Sequence, residues 1–454
     1  MNISPRWRLL LAFAMLGAAP SAGAGQQTAG DRPLSLADAI SEALAGNAGL
    51  AVARAEADVA HADVGTASSY LWPRIDVSTG WTRSNDPVFA FGTKLRQGIF
   101  TESDLALDAL NDPDAIDDWA SAAMLQWKLL SPQVWAGRSA AASAADAADW
   151  KATRAREATI LRTEVLYYDA QRAAAQTRAA LRTEEAARSA RDVFTRREAE
   201  GVLTRAEVLQ AEADLQGATA ARIDSERREA DAHRRLAVFL GWGPEVRPVL
   251  TDTLELVSAE PPAGETLIPA GFDATQRADL QAMEKARDAA SANSSRARLG
   301  FLPELDAFAG YSMHGSSLFA SDGDNWTGGL ALRWNVFSGL SRSAETKRAD
   351  ARRTMAEVQY DEAMRSARAE VQEAADAVDA AWRAAGAAVV ADSAASLGRD
   401  LMKMRFEEGL ATANDLLAAD SRAAQARGRA IDASAAYRMA QARLRFVTTQ
   451  HTSE

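Results

Sequence analysis

The sequence predicts a mainly α-helical chain with a small transmembrane β part, built as an internal tandem repeat. Three observations predict it: two proline-free stretches of over a hundred residues, a recurring order of Pro, Trp and Gly landmarks at matched spacing, and short alternating segments flanked by tryptophan.

Of the 13 prolines, none lies between Pro132 and Pro244 and none follows Pro303. Proline removes a backbone donor and clashes with the preceding helical turn, so these gaps are where long helices can run. Their composition agrees, being rich in Ala with Arg, Glu, Asp, Leu and Gln. From Trp135 to Glu200 the helical run is about 65 residues, or ~100 Å at 1.5 Å per residue. Ile160, Leu161, Val165, Leu166 and Leu181 are expected to form its packing seam between alanine-rich faces. Shorter helices are expected over Leu34 to Trp72 and Phe272 to Leu302.

The landmarks recur. Leu71-Trp72-Pro73 and Phe301-Leu302-Pro303 each precede an extended segment, a loop and a second extended segment, holding Leu125-Gln126-Trp127 in one case and Leu332-Arg333-Trp334 in the other. Each then leads through a long helix to a glycine turn, Glu200-Gly201-Val202-Leu203-Thr204 or Glu408-Gly409-Leu410-Ala411-Thr412. Trp127 to Gly201 is 74 residues and Trp334 to Gly409 is 75. Such periodicity is read as duplication. The first repeat is 25–240, with strands 72–82 and 121–131 around a loop 83–120; the second is 273–454, with strands 303–313 and 326–337 around a loop 314–325; 241–272 links them. In both, the long helix reaches its turn, at 201 or 409, and a return helix follows. Gly201 and Gly409 are expected in the left-handed conformation that closes a helix.

In the first strand Ile75, Val77 and Trp81 alternate with Asp76, Ser78 and Gly80; in the fourth Leu330, Leu332, Trp334 and Val336 alternate with Ala331, Arg333 and Asn335. Trp72, Trp81, Trp127, Trp326 and Trp334 sit in or beside these segments, as aromatic residues do at a bilayer interface. The third strand fits least, because Phe308 shares a face with Asp306. Four strands cannot close a barrel and a bilayer tolerates no open edge, so other copies must complete the sheet. The first loop is the longer and carries Asp104, Asp108, Asp112, Asp114, Asp117 and Asp118 without the regular spacing of a calcium loop.

Residues 1–24 read as an export signal: Arg6 and Arg8, an apolar run from Leu9 to Ala19, and Ala22-Gly23-Ala24 for cleavage. Its removal takes the formal charge from −11 to about −13, a balance that argues against a nucleic-acid partner. No later segment holds the ~20 apolar residues of a helical span. There is no cysteine, hence no disulfide, thiolate metal site or acylated lipoprotein cysteine.

Taken together, these residues resemble the TolC family of outer-membrane efflux proteins over nearly the whole mature chain. Leu34-Ser35-Leu36-Ala37-Asp38-Ala39-Ile40 with Asn47 looks like the family's first helix, and Arg277-Ala278-Asp279-Leu280 like its Arg-Pro-Asp-Leu. The resemblance implies a homotrimer in the outer membrane of a Gram-negative bacterium, its twelve-stranded β-barrel continued by a periplasmic α-helical barrel. It implies tip turns, Gly201 to Thr204 and Gly409 to Thr412, that meet a periplasmic adaptor coupled to an inner-membrane transporter. It also implies a periplasmic gate near Asp415, Glu207, Phe406 and Arg405, where Ala418, Phe406 and Ala411 depart from the family's usual carboxylate, tyrosine and arginine.

The function expected is a passive efflux duct without cofactor or catalytic group. His61, His233, His314 and His451 are isolated from one another, and no phosphate-binding glycine loop or zinc-ligand pair is present. A duct for protein secretion and a poreless periplasmic coiled-coil scaffold are the competing readings; the scaffold leaves the tryptophan-flanked strands unexplained.

Overall fold

The computed structural model describes residues 30–243, 245–257, 267–269, 271–318 and 322–449. The expected export signal, 1–24, lies outside them. The described chain opens with β1 (Asp31–Leu34), α1 (Leu36–Gly46) and α2 (Ala48–Ser69). The single helix expected from Leu34 to Trp72 is therefore broken at Asn47, whose side chain accepts from the Leu50 N–H at 3.1 Å and caps α2. After β2 (Arg74–Ser84), the expected 83–120 loop instead contains α3 (Pro87–Arg96), a 3-10 turn, α4 (Leu107–Asn111) and the start of β3 (Ile116–Leu130). Asp86 as N-cap followed by Pro87 in the first turn starts α3 inside the segment expected as loop.

The first half continues with α5 (Pro132–Ala199) and α6 (Arg205–Phe239). β4 (Arg247–Leu250) lies in the connection expected over 241–272 and pairs in parallel with β1, an element the sequence pattern did not suggest. The second half holds α7 (Ala278–Leu299), β5 (Glu304–Gly315), β6 (Gly323–Arg333), α8 (Ser341–Glu407) and α9 (Ala413–Thr448). β6 ends earlier than the expected 326–337. Trp334 and Val336 lie in the irregular segment beyond it, where Gly339 at φ 63° and Leu340 at φ 68° turn the chain into α8.

α5 has 68 residues and α8 has 67, so each runs ~100 Å. α2 and α6 both pack along α5, α7 and α9 pack along α8, and α5 also touches α7 and α9. The chain thus forms four helical columns in the order α2/α6, α5, α7/α9, α8. At the first stacking joint, Asn47 Nδ2 donates to Phe239 O at 3.0 Å, tying the end of α6 to the start of α2. Gly241, at φ 82°, makes the approach possible, since a Cβ there would lie 2.6 Å from Gly46 O. At the second joint, Arg154 of α5 donates to Phe446 O at 3.1 Å, stacks on the Phe446 ring at 3.6 Å and lies 3.5 Å from Asp279 in the first turn of α7. Arg277, 2 % exposed, completes that joint with Asp279 at 2.7 Å, Glu370 at 3.0 Å and Ala367 O at 3.3 Å. Burial works against its charge, and the two carboxylates outweigh burial and raise its pKa.

The seam of α5 corrects the expectation. Its buried positions include the expected Leu166 but otherwise Ala140, Thr159, Thr163, Tyr167, Ala170 and Ala173 among others, whereas Ile160, Leu161 and Val165 are half-buried and Leu181 is exposed. Small and β-branched residues let the columns approach closely, and the larger ones stand on faces that the protomer leaves open. Tyr167 anchors the β1–β4 pair: its hydroxyl lies 3.1 Å from Leu34 O and 2.9 Å from Asp252 Oδ2, and burial followed by the Asp252 interaction pushes its pKa above the ordinary value.

The four-stranded sheet is antiparallel, ordered β2-β3-β5-β6. Its register aligns Ile75 with Leu125, Val77 with Ala123 and Trp81 with Trp119, then Leu125 with Ala309, Tyr311 with Trp326 and Ala307 with Leu330. One face is therefore apolar across all four strands. The other carries Asp76, Ser78, Gln126, Asp306, Ser312, Asn325 and Arg333. Phe308 joins Asp306 on this face without conflict, because its ring covers the glycine opposite it, Gly329, while Asp306 pairs with Arg333. Among the described residues no helix is long and apolar enough to cross a membrane.

Truncating Arg277→Ala leaves two carboxylates facing a buried gap and is expected to cost about 3 kcal/mol, read as a lowered denaturation midpoint in detergent; an unchanged midpoint removes Arg277 from the joint.

Candidate functional site

Two regions of the chain stand out by their geometry and exposure. The first is the pair of helix turns. Glu200 and Glu408 close α5 and α8; Gly201 and Gly409 follow, both at φ 76°. The N–H of Gly201 donates to Glu198 O at 2.9 Å and that of Val202 to Arg197 O at 2.8 Å; Gly409 and Leu410 repeat this with Phe406 O at 3.1 Å and Arg405 O at 2.7 Å. Both turns are Schellman closures, which satisfy the last helical carbonyls and require the left-handed residue. A Cβ at either glycine would meet nothing within 4 Å, so backbone conformation alone selects glycine.

The return helices start in matching fashion. Thr204 caps α6 and Glu207 Oε2 accepts from its N–H at 2.7 Å and its hydroxyl at 2.8 Å; Thr412 caps α9 and Asp415 Oδ2 accepts from its N–H at 3.0 Å and its hydroxyl at 2.7 Å. These are capping boxes. The hydrogen bonds from Thr204 and Thr412 hold both carboxyls below their ordinary values. The two acids expected at a gate thus have a local task in the protomer.

Phe406, expected near a gate, is a core side chain within the single chain. It is buried with Phe194, ring centroids 5.2 Å apart, in a cluster with Val208, Ala211, Ala413 and Leu416 that joins the two turns. Leu203 and Ala411 pack against the same cluster. Arg197, which sequence reasoning missed, fastens them: its guanidinium donates to Phe406 O at 2.9 Å and Glu407 O at 3.0 Å and lies 4.6 Å over the Phe406 ring. It caps α8 from the other half of the chain, a role that only three-dimensional proximity reveals. Arg405 lies close enough to help depress Asp415. Val202 and Leu410 remain exposed at the tips, 64 % each.

The second region is the apolar face of the sheet. Ile75, Val77, Trp81, Trp326, Leu330 and Leu332 are all exposed in the protomer. Trp119 and Trp127 lie eight positions apart on β3, ~27 Å along a strand, which sets aromatic residues near both ends of the band. Trp127 Nε1 donates to Leu71 O at 2.9 Å, and Trp334 Nε1 makes the corresponding bond to Phe301 O at 3.0 Å. Trp72 is exposed beside the first of these, and Trp81 Nε1 donates to Asp117 at 3.0 Å.

The histidines do not converge. His61 meets Asp149 at 3.0 Å, His314 meets Asp118 at 3.0 Å, and His233 is buried without a hydrogen-bond partner, its pKa lowered by that burial. His451 lies outside the described residues. The acids of the first loop are spread out, with Asp104 on Lys94 and Asp117 on Arg83.

Thr204→Ala and Thr412→Ala each remove one capping box and are expected to cost about 1 kcal/mol, seen as faster amide exchange confined to the first turn of α6 or α9. Because the folded-state pKa values of Glu207 and Asp415 are depressed, the stabilisation is present above the ordinary carboxylate range and is lost as pH falls through the lowered values. Exchange that spreads along the whole helix contradicts a local cap.

The sequence pattern of the family described as "Outer membrane efflux protein" matches residues 39–242 and 274–450. The Campylobacter jejuni CmeC outer membrane channel is 17 % identical, with a TM-score of 0.78 over 91 % of this chain and 85 % of that one. The outer membrane protein VceC of Vibrio cholerae is 20 % identical, with a TM-score of 0.75 over 91 % and 96 %. The Neisseria gonorrhoeae MtrE outer membrane channel, solved in its open state, is 21 % identical, with a TM-score of 0.73 over 91 % and 88 %. These likenesses are of fold. No curated protein matches the chain in sequence. With its two halves both matched, the chain belongs to the outer membrane efflux protein family.

Proposed function

We propose that this chain is the protomer of a passive outer-membrane duct in a tripartite efflux system, carrying no chemistry of its own. The observation that carries the reading is the two-faced sheet: an apolar band exposed on one side, polar residues on the other, and unpaired edges at β2 and β6. A bilayer requires both edges to be paired, so copies of the chain close the barrel; three copies supply twelve strands and a lumen lined by the polar face. The family supports the trimer. α5 and α8 carry the lumen ~100 Å into the periplasm.

The tips are the adaptor contact. Gly201, Val202, Leu203 and Thr204 with Gly409, Leu410, Ala411 and Thr412 make two equivalent turns that present Val202 and Leu410. Energy comes from the inner-membrane transporter that the adaptor recruits. Asp415 and Glu207, with Arg405 nearby, place charge at the periplasmic entrance, and three copies of such a ring attract cations and repel one another. Phe406 acts behind them as core. The membrane-interface aromatics are Trp72, Trp81, Trp127, Trp326 and Trp334.

Folded trimers in planar bilayers are expected to pass ion current, and a membrane that stays at baseline overturns the duct in favour of a scaffold. Since the chain has no native cysteine, Val202→Cys or Leu410→Cys is expected to capture an adaptor hairpin in cells; capture at neither position removes tip docking. Asp415→Asn is expected to lower the cation preference measured from reversal potentials, and an unchanged preference discards the acidic ring.

A further inference from the structure

The segment between β2 and β3 lies over the polar face of the sheet at the end away from the long helices. Gln97, 1 % exposed, donates through Nε2 to Asp117 O at 2.8 Å and Asp118 Oδ1 at 3.3 Å, and Asp118 meets His314. Asp118 and His314 both stand on the polar face by register. Gly323 of β6 says the same independently, because a Cβ there would lie 1.9 Å from Arg96 O, the backbone at the end of α3. The segment is also tied internally: Asp86 accepts from Phe89 N–H at 2.8 Å, and Lys94 meets Asp104 at 2.7 Å, a bond that draws the Asp104 carboxyl down to about 2.

α3 is two-sided in an unusual sense. Ala90, Thr93 and Gln97, spaced as one helical face, are fully buried on the sheet side. The opposite face is apolar: Val88 is 82 % exposed, and Phe91 and Leu95 follow at helical spacing, Phe91 exposed at one edge while its ring packs edge-on against Phe100. In a water-filled lumen such a stripe is left wet unless a like surface covers it. α3 starts from β2 and reaches β6, the two edge strands that neighbouring copies must pair, so the stripe is continuous with the inter-copy boundary.

We propose that the α3 helices of the three copies converge on the axis through Val88, Phe91 and Leu95 and form an apolar constriction at the outer mouth of the duct. The occupant of the stripe is the same chain in its neighbours. A narrow apolar ring excludes water and ions by dewetting and opens when the helices part. This rests on the duct reading, which makes the polar face a lumen.

The test uses the cysteine-free background. Thr327 is exposed on the polar face, four residues deeper than Gly323, so Thr327→Cys reports access to the lumen. A bulky membrane-impermeant maleimide added outside intact cells is expected to label it slowly, and several-fold faster when Val88→Ser or Leu95→Ser is added. Fast labelling at the same rate with and without these substitutions overturns the constriction. No labelling in any form, including one with residues 87–111 replaced by a short Gly-Ser linker, overturns the lumen itself and with it the duct reading. Trimers on native gels from either serine variant keep the comparison valid if the other fails to assemble.

Discussion

Among the described residues β2 and β6, eleven residues each, leave one side of their backbone without a partner, and the sheet between them shows lipid-like side chains on one face. In water such edges are hazards that charge or proline blunts. In hydrocarbon each unpaired group costs several kcal/mol, so the protomer is not a finished membrane protein by itself. The rest of the structure follows from that incompleteness. In the proposed assembly, closure by identical copies sets a cylinder, the cylinder sets the polar face as a lumen, and helices leaving the strand ends continue the cylinder wall.

Continuing the wall explains the helical half. Two strand pairs supply two continuous helices, α5 and α8, but four columns are needed, and the other two are assembled from stacked pieces. Polar side chains tie the stacking joints: the Asn47 amide at one, the Arg154 and Arg277 guanidinium groups at the other. Asn47 and Arg154 satisfy carbonyls near the ends of α6 and α9 that have no further helical partner, and Arg277 ties the start of α7 to the middle of α8. The far turns solve the same problem with Schellman closures, capping boxes and Arg197. Glu207 and Asp415 therefore serve folding first, and any charge they lend to an entrance is carried by residues that could not be dropped without loosening the turn.

Much of this was legible in the sequence because it is local. Proline gaps marked α5 and α8, alternation marked the strand faces, and Gly201 and Gly409 sit where left-handed backbone is needed. What was missed depends on proximity between distant segments. β1 and β4 are four residues each and find one another across more than two hundred positions. Asn47 interrupts a helix because a second helix ends against it. The family resemblance suggests Phe406 for a gate, and the packing of Phe194 against it adds a role in the core that the sequence alone does not show. Of the large residues that suggest a seam in α5 only Leu166 is buried, because closely approaching columns favour alanine and threonine at most of the contact. The first loop was read as acidic surface; its α3 was signalled by Asp86-Pro87, but which face of the sheet it covers comes from register alone.

In the proposed duct β2 of one copy pairs with β6 of another. Within one chain these strands are separated by β3 and β5, ~14 Å apart at 4.8 Å per strand, beyond the reach of a disulfide. A panel of paired cysteines, one in Arg74–Ser84 and one in Gly323–Arg333, introduced into this cysteine-free chain, therefore reports pairing between copies only. The account predicts that matched pairs convert the chain into a covalent species of three copies on denaturing, non-reducing gels. Chains that stay monomeric across the whole panel, while remaining folded in the outer membrane, would contradict it.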